Sequence, residues 1–135
     1  MWNEKGINLI LLRILKTLLP PQTFGYGTNT LYLSNQERKM KIGILGTRGI
    51  PNAYGGFEQF AEHLAIGLTK RNHQVFVYNS SDHPYEGSEW QGVNRIVCND
   101  WERKIGTAGQ FIYDYNCFQD ARKREFDVLL QLGYT

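Results

Sequence analysis

From Met40 onward the chain alternates short apolar runs with segments of helical periodicity, and that alternation leaves few folds open. Lys41-Ile42-Gly43-Ile44-Leu45-Gly46 is an apolar run closed by glycine, as expected of a strand covered on both faces. After a turn-rich loop, Phe57, Phe60, Ala61, Leu64, Ala65 and Leu68 recur at three- and four-residue steps. This predicts a helix over about 57–71 with those residues on its apolar face. Lys70 and Arg71 fall in its last turn, where cations oppose the negative end of the helix dipole. Val75-Phe76-Val77-Tyr78 reads as the next strand and Val93 to Val97 as a weaker third. Phe111, Ile112, Tyr115, Phe118 and Arg122 mark a second helix over about 107–124, and Val128-Leu129-Leu130-Gln131-Leu132 a fourth strand.

The expected fold class is therefore α/β. Four parallel strands, at about 41–46, 74–79, 93–98 and 127–132, form a Rossmann-like sheet with right-handed crossovers and flanking helices. In such sheets the ligand crevice lies beyond the carboxyl ends of the strands, at the topological switch point. The last residues, Gly133-Tyr134-Thr135, stand at one of those ends. The pattern leads us to expect no strand on the far side of the switch point, and so an incomplete domain.

The sequence changes character before Met40. Residues 1–39 are expected to be a poorly ordered or peripheral leader, and residues 40–135 the partial Rossmann-like domain. The stretch from Ile7 to Pro21 is apolar but interrupted by Arg13 and Lys16 and closed by two prolines. It is too short for the roughly 20 apolar residues of a membrane span, and it lacks the small-residue cleavage site of a signal peptide. Three readings stand: an amphipathic helix on a membrane surface, an extra helix packed on the domain, or sequence upstream of a true start at Met40.

Bulk composition removes several function classes. With 135 residues, a net charge of +2 and 21% charged residues, the chain has an ordinary globular make-up, and no nucleic-acid partner is expected. The two cysteines, Cys98 and Cys117, lack C-x-x-C spacing and suggest neither a disulfide framework nor zinc, which fits a cytoplasmic setting. His63, His73 and His83 match no metal-ligand spacing, and neither metal nor cofactor is expected.

The chemistry is concentrated in Gly46-Thr47-Arg48-Gly49-Ile50-Pro51-Asn52-Ala53-Tyr54-Gly55-Gly56-Phe57-Glu58, which joins the first strand to the first helix. Gly55 and Gly56 immediately precede the helix, so backbone N–H groups there can face an anion at close range. The alternative is that the two glycines only make a tight turn. A nicotinamide or flavin dinucleotide site is disfavoured. The spacing Gly43-x-x-Gly46-x-x-Gly49 is not G-x-G-x-x-G, Pro51 and further residues postpone the helix, and the second strand ends Tyr78-Asn79-Ser80 without an acid for the ribose. A P-loop is excluded because no Gly-Lys-Ser/Thr appears. Tyr85, Trp90 and Trp101 have two readings, stacking on acceptor sugars or plugging a small core under a long loop.

The stretch MKIGILGTRGIPNAYGGFEQFAEHLAIGLTKRNHQVFVY resembles the opening of family 4-like glycosyltransferases of the bacterial polysaccharide type. HPYEGSEWQGV, KIGTAGQFIYDYNC and DARKREFDVLLQLGYT are similar to a rhamnosyltransferase-like subgroup, so the resemblance covers Met40 to Thr135. It implies the N-terminal, acceptor-binding domain of a retaining GT-B enzyme whose C-terminal domain holds a nucleotide-sugar donor. It also implies a glycan or lipid-linked acceptor in cell-surface polysaccharide synthesis, with the enzyme in the cytoplasm or peripherally at the inner face of the membrane. Carried over by position, Gly55 and Gly56 would face the donor diphosphate, Gly49 would shape the loop, and Arg48, Tyr54 and Glu58 would line the cleft. Arg48 is the candidate cation beside the departing diphosphate, with a solvated loop cation as the alternative. The family's paired-glutamate donor motif is not among these residues, and catalytic residues are not identified.

Overall fold

The structure, a computed structural model, describes residues 38–133. The expectations for the apolar leader fall outside the described residues. The elements are β1 (Lys41–Leu45), α1 (Gly56–Lys70), β2 (Gln74–Ser80), β3 (Glu89–Trp90), β4 (Val93–Cys98), α2 (Glu102–Ile105), α3 (Thr107–Lys123) and β5 (Val128–Gln131). They build a five-stranded mixed sheet in the order β3-β4-β2-β1-β5, an α/β Rossmann-like arrangement. β4, β2, β1 and β5 run parallel, as expected, and β3 adds a short antiparallel ladder, Glu89 opposite Asn94 and Trp90 opposite Val93.

This order corrects one expectation. β1 leads to β2 and β2 to β4 in one direction across the sheet, and the chain then returns over β4 and β2 to place β5 on the other side of β1. The far side of the switch point is therefore occupied. Right-handed crossovers in opposite directions put α1 and α3 on opposite faces. Strand alternation agrees. Leu45, Tyr78 and Ile96 gather with Tyr113, Cys117 and Ala121 of α3, while Val75 and Val77 point to the face where α1 packs on β2.

Both helices are rotated relative to the predicted faces. α1 buries Glu58, Ala61, Leu64, Ala65 and Leu68, and leaves Phe57 and Phe60 more than half exposed. α3 buries Gly109, Tyr113, Cys117 and Ala121, so Phe111, Tyr115 and Phe118, expected in the core, are more than half exposed instead, with Ile112 also exposed. The sheet beneath α3 already presents Leu45, Tyr78 and Ile96, and mostly small residues let the helix approach it. At Gly109 a Cβ would lie 2.4 Å from the backbone of Trp101.

α1 ends in a Schellman turn: the His73 N–H donates to the Leu68 carbonyl (3.2 Å) and the Asn72 N–H to that of Thr69 (2.9 Å), with Asn72 at φ 68°. Tyr85 and Trp90 form an edge-to-face pair under the loop before β4. The buried Arg95 lies over the Tyr85 ring and donates to the Tyr85 and Gly87 carbonyls. These two aromatics plug a small core, whereas Trp101 is exposed beneath Lys104.

Candidate functional site at the switch point

The loop after β1 is held from several sides. Gly46 leaves the strand at φ 76°, and Thr47 accepts the Gly49 N–H through its hydroxyl (3.1 Å). Gly49 has φ 116°, and a Cβ there would fall 2.2 Å from the Asn79 side chain, so this position requires glycine. Asn79 is fully buried at the end of β2. Its carbonyl accepts the Ile50 N–H (3.3 Å) and its amide donates to the Ile50 carbonyl (2.8 Å). Its neighbour Ser80 donates its backbone N–H to the Arg48 carbonyl (3.0 Å). Further along, Glu62 accepts the Asn52 N–H at 2.7 Å and the Trp90 indole N–H at 3.1 Å.

Glu58 sits in the first turn of α1, buried, and its carboxylate accepts the Arg48 N–H at 3.0 Å. Arg48 turns its guanidinium to two acids, forming a close ion pair with Glu102 and lying 3.6 Å from Asp100. Burial alone would lower its pKa, but Glu102 and then Asp100 outweigh that and raise it. Asp100 is almost wholly buried. It accepts the Ser80 hydroxyl (2.8 Å) and the Glu102 N–H (2.9 Å). Arg48 is thus a tie between the β1–α1 loop and α2. Tyr54 stands at the outer rim, nearly half exposed, with the Arg48 guanidinium 5.7 Å from its ring centre.

Gly55 and Gly56 differ from Gly49. Gly55 is extended (φ −172°), and Gly56 is the first residue of α1, a helix with no side-chain cap. A Cβ on Gly55 would meet only the Glu58 carboxylate at 3.6 Å, and one on Gly56 would meet nothing within 4 Å. Neither the backbone nor the packing of the described residues demands glycine at either position.

A cavity of about 160 Å³ opens between the carboxyl ends of β1 and β5, where the strand order reverses. Gly46, Thr47 and Arg48 line one side, Phe57 and Glu58 the start of α1, Gln110, Tyr113 and Asp114 the α3 side, and Asp100 and Gly133 the remainder. The Tyr113 hydroxyl donates to the Thr47 carbonyl at 3.1 Å and fixes α3 against the end of β1. Of the residues singled out from sequence, Arg48 and Glu58 line this cavity, Gly55 and Gly56 flank it, Gly49 is in the loop core and Tyr54 lies on the rim. Asp100, Gln110, Tyr113 and Asp114 come from distant segments. Their one signal in the sequence was position at or just beyond the strand ends, which marks Asp100 alone. Among the described residues no group of His, Cys, Asp and Glu is arranged to hold a metal ion. No described helix is long and apolar enough to cross a membrane.

No curated protein and no solved structure gives a significant match to the chain. The family model described as "Domain of unknown function (DUF1972)" matches residues 39–127, which takes in β1 to α3 and the whole β1–α1 loop. The chain belongs to that family, a domain found at the N-terminus of glycosyltransferase family 4-like proteins.

Proposed function

We propose that this domain forms the acceptor-side wall of a glycosyltransferase active site and presents the N-terminus of α1 to the diphosphate of a nucleotide-sugar donor. The carrying observation is the pair Gly55–Gly56, two glycines that the fold itself does not need, at the uncapped start of a 15-residue helix beside the switch-point cavity. Space left free of Cβ atoms there suits close approach of a phosphate to backbone N–H groups, and the helix dipole favours its charge. As the anomeric C–O bond between the sugar and the diphosphate breaks, negative charge grows on the leaving diphosphate, and fixed N–H donors stabilise that state more than the ground state.

Arg48 acts here as a positioning residue. Its guanidinium is engaged by Glu102 and Asp100, so it holds the loop and α2 in register. The cavity beside it carries carboxylates of Glu58, Asp100 and Asp114 and the amide of Gln110, acceptors that suit hydroxyl groups of a sugar, with Phe57 at its edge as an apolar platform. The acceptor is a glycan or lipid-linked sugar, and the transferred group a hexose or a deoxyhexose such as rhamnose, in cell-surface polysaccharide synthesis.

Amide chemical-shift mapping of the chain with UDP, GDP and dTDP tests the reading. All three share the diphosphate, so Gly56, Phe57 and Glu58 should shift in common, and Gly56→Ala should weaken that response. Shifts confined to other regions, or an unchanged response in the variant, would remove the diphosphate role from this helix.

A further inference from the structure

We propose that Cys98 and Cys117 form an oxidisable dithiol that closes to an intrachain disulfide on reaction with a hydroperoxide and staples two walls of the switch-point cavity. They are the two cysteines of the chain, 19 residues apart in sequence, and both are free. β4 pairs in parallel with β2, Ile96 opposite Tyr78 and Cys98 opposite Ser80, so Cys98 projects to the same face as Ile96, toward α3. Cys117 is buried on α3 in that cluster, and Cys98 packs against it from the half-buried end of β4. Both thiols thus lie in one cluster between β4 and α3, and no part of the glycosyl-transfer reading uses them.

Their environments divide the roles. The neighbouring Cys117 thiol favours the Cys98 thiolate and lowers its pKa despite burial, while the proximity of Cys98, and then burial, raise that of Cys117. Cys98 is also the more exposed, so it is the sulfur that a peroxide meets first. The Cys98 thiolate attacks the peroxide, the O–O bond breaks, and Cys98 becomes a sulfenic acid as hydroxide leaves. The Cys117 sulfur then attacks the Cys98 sulfur, the S–O bond breaks, and the Cys117 proton leaves with the hydroxyl as water. In sum two thiols and one hydrogen peroxide give one disulfide and two waters. Cys98 lies two residues before Asp100, and Cys117 three residues after Asp114, so the bridge ties the β4 side of the cavity to the α3 side.

The test uses the full 135-residue chain, treated with hydrogen peroxide, alkylated with iodoacetamide and weighed intact without reductant. The expected product has lost the mass of two hydrogens, takes up no iodoacetamide, carries no bridge to a second chain and recovers both thiols with dithiothreitol. Cys117→Ser should leave a sulfenic acid on Cys98 that dimedone traps, and Cys98→Ser should give no such adduct. Backbone amides of Asp100, Gln110 and Asp114 should shift on oxidation of the wild type only. Two alkylatable thiols after peroxide, a bridge between chains, or a sulfinic acid on Cys98 in the wild type overturns the dithiol. A bridge that leaves those amides unmoved overturns the stapling.

Discussion

Replacing Gly56 by alanine separates a glycine that serves a ligand from one that serves the fold. A Cβ at this position meets nothing within 4 Å, and the residue begins a 15-residue helix in ordinary helical geometry. Alanine loses less backbone freedom on folding and has the higher helix propensity, so stability should stay level or rise by up to about 1 kcal/mol. For a domain of this size that is a thermal midpoint unchanged or higher by roughly 4–8 °C. The methyl group, however, stands where a phosphate would approach the first-turn N–H groups. Losing one such donor costs about 10²–10³ in rate, or about 2.7–4 kcal/mol of transition-state stabilisation. The two effects thus have opposite signs, so a folding defect cannot imitate the catalytic one. The assay is sugar-nucleotide turnover by a glycosyltransferase family 4-like protein that carries this domain at its N-terminus, with kcat, KM and thermal midpoint measured on the same preparation. The loss should appear in kcat, and Gly56→Val should lose as much or more. A wild-type kcat in a folded Gly56→Ala variant would refute the reasoning, and so would a fall of the midpoint with turnover per folded molecule intact.

Gly49→Ala should behave in the opposite way: at φ 116° and with its Cβ 2.2 Å from the Asn79 side chain, it should lose about 2–4 kcal/mol in chemical denaturation. Arg48→Gln should cost about 1–3 kcal/mol, because it leaves the buried Asp100 carboxylate without its cation; a variant of native stability would return Arg48 to the role of a loop cation. His83 is buried, with its Nε2 2.9 Å from the Pro51 carbonyl and its Nδ1 accepting the Tyr85 N–H at 3.1 Å. Burial, and next among the opposing influences Arg95, hold its pKa below the usual imidazole value against the Pro51 hydrogen bond. The unfolded chain then binds the proton first. This stability is full above the ordinary imidazole pKa of about 6.5 and is lost as pH falls from there toward the lower folded value. Denaturation midpoints should drop between neutral and mildly acid pH, and the drop should shrink in His83→Gln.

The path of the backbone was largely legible in the sequence. The apolar run of β1, the 3.6-residue period of α1 and the β-branched run of β2 are local patterns, and the structure places each within a residue or two of its expected bounds. Gly49 was singled out only through the family resemblance, and its backbone at φ 116° against Asn79 supplies a physical reason for glycine that the sequence did not state. Three things were decided only by tertiary structure. The position of β5 beside β1 depends on how a long crossover returns over the sheet, and nothing local in Val128–Gln131 records which strand it will join. The faces of α1 and α3 depend on what the sheet already fills. Helical period shows that a stripe exists, but Tyr78, Ile96 and Leu45 leave room mainly for glycine, cysteine and alanine beside Tyr113, and the aromatics turn outward. The cavity depends on both, since Asp100, Gln110, Asp114 and Gly133 meet Arg48 and Glu58 only once β4, α3 and β5 have been laid against β1. Local geometry and hydrophobic period act over a few residues and were readable. Which side chains share a site is set by contacts tens of residues apart, whose free energy no short segment carries alone.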